Sequence, residues 1–141
     1  FTSRKTFDLF DLKNIEIILD TINPNLIINC AAYTSVNGAE DDYEHANIIN
    51  HKSIKLIAKW CNTNNCKLIH ISTDCVFSGL KGRYLESDVT DAKDIYGVSK
   101  MLGEVDKSNT LTLRTSIIGQ ELKTNYSLLN WFLSQKKQIK Y

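Results

Sequence analysis

Helical and strand-like hydrophobic patterns alternate along the chain, and this alternation restricts the folds that the sequence can adopt. Short apolar runs at residues 26–32, 67–72 and 111–115 have the length and composition of buried strands. Around them, apolar residues recur at the spacing of one helix face. Because strands that alternate with helices form parallel β-α-β units, we predict an α/β fold with a doubly wound parallel sheet and helices on both of its faces.

Four helices are predicted from the apolar spacing. The first two have stripes that consist of Ile15, Ile18, Leu19 and Ile22, and of Ile49, Ser53, Leu56, Ile57 and Trp60. The third contains Tyr96 and turns inward the side chains of Met101, Leu102 and Val105. The fourth covers residues 126–135, and its apolar positions are Leu128, Leu129, Trp131, Phe132 and Leu133.

The composition indicates an ordinary globular protein and excludes several classes of partner. The 141 residues are 43% hydrophobic, as expected for one domain or part of one. Their formal net charge of +1 gives no reason to expect binding to nucleic acid or to a membrane surface. No apolar run reaches the length of a membrane span. We predict reduced, mostly buried thiols, no metal site and a cytoplasmic location, because no C-x-x-C pair or metal-ligand spacing occurs among Cys30, Cys61, Cys66 and Cys75.

A tyrosine followed one helical turn later by a lysine, at Tyr96 and Lys100, is the clearest sign of chemistry. Residues four apart share a helix face, so the Lys100 ammonium can favour the ionised form of the Tyr96 phenol and make it a proton donor and acceptor near neutral pH. A hydroxyl from Thr73 would complete such a site. This spacing also recurs by chance, so its place in the sheet must support the interpretation.

Candidate ligand-binding residues follow each predicted strand, where parallel α/β sheets bind their ligands. Small side chains at Ala31 and Ala32 follow the first strand, Thr73 and Asp74 follow the second, and residues 115–116 follow the third. Each of these residues also has an ordinary structural explanation: alanines usually serve packing, and a serine or threonine at a strand end usually forms a turn or caps a helix. Their joint placement at one sheet edge favours a functional site.

Four segments, in order, resemble one known family. They read INCAAYT at residues 28–34, IHISTDCVFSG at 69–79, YGVSKMLGE at 96–104 and LRTS at 113–116. The chain is similar to the extended short-chain dehydrogenase/reductases, most closely to the dTDP-4-dehydrorhamnose reductase group. The resemblance implies a Rossmann-like fold and an oxidoreductase of dTDP-rhamnose and polysaccharide biosynthesis that reduces the keto group of a nucleotide-linked deoxysugar with NAD(P)H.

The resemblance also implies a role for individual positions. Tyr96 would protonate the carbonyl oxygen, Lys100 would lower the pKa of Tyr96 and hold the nicotinamide ribose, and Thr73 would hydrogen-bond the substrate oxygen. The implied cofactor-binding residues are Asp8, Leu9, Ala31, Ala32, Tyr33, Asn50, Tyr96 and Lys100. Among these, Asn50 would brace the loop at residues 31–33, and its alternative is an amide on a helix surface.

The chain departs from the family at two points. The glycine-rich turn that begins the family's dinucleotide site is absent from this sequence, and we expect it before Phe1 and the sugar-binding portion after Tyr141. We therefore expect residues 1–141 to be a partial NAD(P)-binding domain, without the first strands and the substrate domain, and to be inactive alone. The second departure is Cys75, where the reductases commonly have a tyrosine.

Three alternative functions stay open. Nucleotide-sugar dehydratases have an Asp-Glu pair after the threonine, and here Asp74 is present without the glutamate. Epimerases usually have Val-Tyr-Gly where residues 76–79 read VFSG. The third alternative is a non-catalytic subunit similar to the regulatory subunit of methionine adenosyltransferase.

The sequence limits the cofactor and the binding partners only to broad classes. The cofactor is NADP or NAD, with a slight preference for NADP because Arg4 would accommodate a phosphate, while a solvated surface arginine is the alternative. We expect a nucleotide-sugar substrate, no nucleic-acid or membrane partner, and a homodimer as a possible assembly.

Overall fold

Three parallel strands form the sheet of the structure, a computed structural model that describes residues 2–121 and 127–135. Strands β1 (Leu26–Asn29), β2 (Lys67–Thr73) and β3 (Thr110–Thr115) lie in the order β1-β2-β3. The register pairs Ile28 with Ile69, and Ile71 with Leu113. All three strands therefore end at the same edge of the sheet, and the predicted parallel α/β arrangement is confirmed.

Helices connect the strands in the predicted order. Helix α1 (Leu12–Ile22) precedes β1, and the next connection contains α2 (Val36–Asp41), α3 (Tyr43–Asn47), a π-helical turn (Ile48–Lys52) and α4 (Ser53–Thr63). A 3₁₀ turn (Asp74–Val76) and α5 (Ile95–Gly103) connect β2 to β3, and α6 (Leu128–Ser134) follows. The prediction for α6 begins at Tyr126, which lies outside the described residues.

The hydrophobic core lies between α1, α4 and the sheet. Ile15 and Leu19 of α1 are buried, as predicted, and pack in one cluster with residues of α4 and β2. Ile57 and Trp60 of the predicted α4 stripe are also buried. Ile22 is exposed, contrary to the prediction, because α1 ends there and the chain turns away through Asn23 in a left-handed conformation.

Helix α5 turns small and polar side chains inward instead of apolar ones: Gly97, Ser99, Lys100 and Gly103 are its buried residues. Leu102 is 39% exposed, so its predicted inward position is wrong. Val105 is buried but follows the end of the helix. Apolar spacing cannot detect a helix face that approaches a neighbouring backbone through glycines.

The two faces of the sheet differ. Alternate residues of β2, Leu68 and His70 among them, are buried on the face that α4 and α5 cover. Exposed apolar side chains mark the strands elsewhere: Leu26, Ile28, Leu111 and Leu113. The second helical layer expected for a doubly wound sheet does not cover these side chains in residues 2–121 and 127–135.

All four cysteines are free thiols, as predicted. Cys61 and Cys66 are buried, and burial together with a hydrogen bond to Cys66 raises the pKa of Cys61 to about 12. Cys30 and Cys75 are exposed. The prediction of mostly buried thiols is therefore wrong for these two, which lie just beyond the ends of β1 and β2.

Two kinds of feature are absent from the described part of the chain. None of its helices combines the length and apolar character that crossing a membrane requires. Its His, Cys, Asp and Glu side chains form no group of three or more that could hold a metal ion.

Gly103 is expected to be essential for packing, because a Cβ atom there would lie 1.9 Å from the carbonyl oxygen of Asn50. We expect Gly103→Ala to lower the free energy of unfolding by about 1 to 3 kcal/mol, the usual cost of overpacking. Gly119→Ala is the matched control, since a Cβ atom there meets no atom within 4 Å. Urea unfolding of the complete gene product measures both, and equal stability of the two variants would contradict this packing.

Candidate active site

Thr73 lies at the carboxyl end of the central strand, where the chain turns sharply into a 3₁₀ turn. The Thr73 side chain is buried, and its hydroxyl oxygen accepts a hydrogen bond from the backbone N–H of Cys75 at 3.2 Å. The same hydroxyl lies 3.2 Å from Oδ1 of Asp74, to which it can donate. These contacts fix the hydroxyl at the sheet edge, where a ligand can reach it.

Tyr96 lies beside Thr73 because the first turn of α5 packs on the backbone that follows β2. The Asp94 carboxylate caps the helix by accepting the backbone N–H of Gly97 at 2.8 Å. A Cβ atom at Gly97 would lie 2.5 Å from the carbonyl oxygen of Cys75, so only glycine permits this approach. The Thr73 hydroxyl lies close enough to the phenol as a result to favour its ionised form.

The pKa of Tyr96 is raised, a direction opposite to the one that the sequence predicted. Burial is the main cause, and the nearby Thr73 hydroxyl opposes it by favouring the phenolate. Electrostatic interactions with Cys75, Asp74 and Asp94 raise the pKa further. The prediction gave the Lys100 ammonium the main influence on this phenol, whereas burial and nearby anionic groups determine the direction.

The Lys100 ammonium is held inside the protein. The side chain is 2% exposed, and Nζ donates a hydrogen bond to the carbonyl oxygen of Ile71 at 2.9 Å. Burial lowers the pKa of Lys100 to about 8, although Glu104 acts in the opposite direction. An ammonium has three donors, and Ile71 is the acceptor found for it among the described residues, so Lys100 can also donate to a ligand.

The loop after β1 is attached to helix α5 through one buried amide. Asn50 is 1% exposed, and its Oδ1 accepts the backbone N–H of Tyr33 at 2.8 Å. Its Nδ2 donates to the carbonyl oxygen of Tyr33 at 3.0 Å and to the Ser99 hydroxyl at 2.9 Å. Asn50 therefore braces this loop, and the alternative of a surface amide is wrong.

Ala31 and Ala32 leave the outer side of this loop open. Ala31 is exposed and Ala32 is partly exposed, so neither side chain blocks the approach of a ligand to the backbone. Tyr33 is partly buried, and its ring lies 5.2 Å from the ring of His45. Three of the predicted cofactor-binding residues thus lie together next to α5: Ala31, Ala32 and Tyr33.

Asp8 and Leu9, which were predicted to act as a pair, lie in different environments. Leu9 is buried in the hydrophobic core, whereas the Asp8 carboxylate is partly exposed, accepts the backbone N–H of Phe10 at 3.0 Å and lies 3.6 Å from Nε of Arg4. Phe10 contacts His45 at 4.7 Å between ring centroids. Because His45 also contacts Tyr33, the Asp8 segment lies beside the loop after β1.

An open cavity of about 470 Å³ lies beside Asp74 and Cys75 at the same sheet edge. Aromatic and charged side chains line its far wall, where the rings of Phe77 and Tyr84 stack at 4.3 Å and the Arg114 guanidinium lies 5.0 Å from the Phe77 ring. The cavity can therefore accept a ligand beside Asp74 and Cys75, the two residues that follow Thr73 in the chain.

Two structural contributions were missed by the sequence analysis. Ser99 donates to the carbonyl oxygen of Tyr96 at 2.7 Å and so joins Asn50 to helix α5. Glu104 forms a two-point ion pair with Arg114 at 2.8 and 2.9 Å and accepts the Ser72 hydroxyl at 2.9 Å. The polar position of Ser99 inside the Tyr-x-x-x-Lys segment was the one available signal.

The sequence and the fold both match known proteins. The family described as the RmlD substrate binding domain matches residues 1–139. The dTDP-4-dehydrorhamnose reductase of Aggregatibacter actinomycetemcomitans is 36% identical over 94% of this chain and 48% of its own length. The Escherichia coli enzyme of the same name is 41% identical over 67% of this chain and 33% of its own length.

Solved structures agree with these relatives. A dTDP-4-dehydrorhamnose reductase from Yersinia enterocolitica matches with a TM-score of 0.81 and 27% identity, over 94% of this chain and 48% of that one. The Bacillus anthracis reductase in complex with NADP matches with a TM-score of 0.68 and 34% identity, over 72% and 37% of the two chains. The chain spans about half or less of the length of these relatives.

These matches extend over nearly all of the sequence and agree with the geometry at the ends of the strands. The Rossmann-like fold expected from the sequence is confirmed by them. The chain belongs to the family of the RmlD substrate binding domain, within the extended short-chain dehydrogenase/reductases.

Proposed function

We propose that the complete gene product reduces the keto group of a nucleotide-linked deoxysugar with NAD(P)H, as a dTDP-4-dehydrorhamnose reductase does. The observation that carries this proposal is the proximity of the Tyr96 phenol to the Thr73 hydroxyl, with the buried Lys100 one helical turn away. A proton donor, a hydroxyl that can orient a substrate oxygen and a fixed positive charge meet at one sheet edge. Relatives named as reductases of this substrate class support the same function.

The residues of the site fit a dinucleotide. The exposed backbone beside Ala31 and Ala32 gives close access to a ribose or phosphate, and Asn50 holds this loop in place. Lys100 has donors left for a ribose hydroxyl, and the Asp8 segment would lie near the adenine. NAD(P)H supplies a hydride when it is bound. A relative bound to NADP and the position of Arg4 beside Asp8 support a preference for NADP.

Each member of the catalytic set has a separate task. The raised pKa of Tyr96 keeps the phenol protonated at neutral pH, so it can donate its proton to the oxygen of the carbonyl that is being reduced. Thr73 would orient that oxygen through its fixed hydroxyl. The Lys100 charge would stabilise the phenolate that remains after proton transfer.

The wider setting is also part of the proposal. Residues 1–141 would be a portion of an NAD(P)-binding domain, because the glycine-rich turn is absent from this sequence. The four free thiols are compatible with a cytoplasmic enzyme. A nucleotide sugar would be the substrate partner, and a homodimer is a possible assembly.

We expect Tyr96→Phe in the complete gene product to lower turnover by about 10² to 10⁴, the usual contribution of a positioned acid. The ring would still pack, so folding and cofactor affinity should stay close to those of the wild type. Steady-state reduction of a dTDP-4-keto-6-deoxy sugar measures the effect. Tyr43→Phe is the control, because Tyr43 is an exposed tyrosine in α3. A Tyr96→Phe variant with more than half of the wild-type rate would remove Tyr96 from the mechanism.

Lys100→Met is expected to stabilise the fold while it weakens function. The pKa of Lys100 falls from 10.5 to about 8 on folding, so the unfolded chain holds more protons between these pH values and wild-type stability rises with pH there. Below pH 8 the Lys100 side chain is charged in both the folded and the unfolded chain, so the full free-energy cost of burying that charge is present. We therefore expect the variant to be more stable by about 1 to 3 kcal/mol at pH 7, with an advantage that shrinks toward pH 10.5.

The same variant should bind NADPH more weakly and show a changed pH profile of turnover, because the ammonium one helical turn from Tyr96 is lost. Lys59→Met is the control, since Lys59 is exposed on α4. Urea unfolding at several pH values and nicotinamide fluorescence measure the two effects. An unchanged cofactor affinity together with an unchanged pH profile would make Lys100 structural and favour the regulatory-subunit alternative.

The 141-residue chain alone should bind NADPH no better than about millimolar. It has no glycine-rich turn whose N–H groups could hold the pyrophosphate. Titration of the purified chain, followed by calorimetry, tests this expectation. Micromolar binding would show that the loop after β1 and Lys100 are sufficient without such a turn.

A further inference from the structure

His70 is a buried polar side chain that the proposed mechanism does not use. It lies in β2, is 1% exposed, and its Nε2 atom has no hydrogen-bond partner among the described residues. Burial, with Lys100 acting in the same direction, lowers the pKa of His70 to about 4, so the ring is neutral near pH 7. A buried N–H without a partner costs stability. A purely structural role would be served better by an apolar side chain.

The other ring nitrogen explains why a histidine is useful here. Nδ1 of His70 lies 3.0 Å from Nδ2 of Asn29 on the neighbouring strand. An amide nitrogen can only donate, so Nδ1 must be the acceptor, and the proton must be on Nε2. The unpaired N–H is therefore a consequence of keeping an acceptor at Nδ1.

Asn29 in turn shapes the loop that follows β1. Its Oδ1 accepts the backbone N–H of Ala31 at 3.3 Å, and its Nδ2 donates to the carbonyl oxygen of Ala31 at 3.4 Å. These two contacts determine which way the amide points, and His70 accepts from the same nitrogen. The amide is thus held by the loop on one side and by the central strand on the other.

We propose that His70 and Asn29 form a clamp that positions the loop at residues 31–33 for the cofactor. The clamp is separate from the Asn50 contacts, which hold Tyr33 from the side of the π-helical turn. Two asparagines would then fix the loop at both ends, Asn29 at Ala31 and Asn50 at Tyr33. His70 and Asn29 are positioning residues, and this inference rests on the proposed function because that function gives the loop a ligand.

Two substitutions of His70 in the complete gene product separate positioning from stability. His70→Leu fills most of the volume but removes the acceptor and the unpaired N–H. His70→Asn places an amide oxygen near the position of Nδ1, so it keeps an acceptor but leaves a cavity. If His70 is a positioning residue, the leucine variant should lose cofactor affinity with little change in stability, because removal of the unpaired His70 N–H offsets the Asn29 N–H that loses its acceptor. The asparagine variant should show the reverse.

We expect His70→Leu to keep an unfolding midpoint close to that of the wild type, to bind NADPH about tenfold more weakly, and to exchange the Ala31 amide hydrogen faster. His70→Asn should unfold at a lower temperature yet keep NADPH affinity within about threefold. Thermal unfolding, nicotinamide fluorescence and hydrogen–deuterium exchange of the peptide that contains residues 30–34 provide the readouts.

The outcomes distinguish the clamp from the function that it serves. Unchanged exchange in residues 30–34 of His70→Leu would overturn the clamp, whatever the affinity. Affinity that falls in proportion to stability in both variants would also overturn it and make His70 structural. Faster exchange without any NADPH binding by the wild-type protein would leave the contacts in place but overturn both the cofactor assignment and the proposed function.

Discussion

The site depends on the direct contact between helix α5 and the backbone of its neighbours. Gly97 packs on the carbonyl group of Cys75 and Gly103 on that of Asn50, so both ends of the helix are fixed without intervening side chains. This close packing places Tyr96 beside Thr73 and sends Lys100 into the interior. A longer distance between α5 and these carbonyl groups would move the Tyr96 phenol away from the Thr73 hydroxyl.

The close approach has an electrostatic cost that the surrounding polar groups reduce. Lys100 is almost fully buried and donates to the Ile71 carbonyl, and burial lowers its pKa to about 8. The interior next to it is polar: it contains the satisfied amide of Asn50, the neutral ring of His70 and the ion pair of Glu104 with Arg114. The protein thus gives up stability to keep a positive charge buried under α5.

Much of the fold could be predicted from the sequence, because the strand runs and the helix stripes follow simple periods. Ile15, Leu19 and the parallel strand order are examples. The inner face of α5 could not be predicted from apolar spacing, since glycine, serine and lysine occupy it. The direction of the Tyr96 pKa was also wrong, because burial by residues distant in sequence outweighs the effect of a neighbour one turn away.

We propose that this chain supplies the proton-donating half of a carbonyl reductase. The most direct test of this proposal is to mix the complete gene product with NADPH and dTDP-4-dehydrorhamnose and to follow NADPH absorbance together with the sugar product by NMR. The account predicts that one NADPH is consumed for each keto group converted to a hydroxyl, with a new hydrogen on the former carbonyl carbon. Tight binding of both ligands without consumption of NADPH would contradict it.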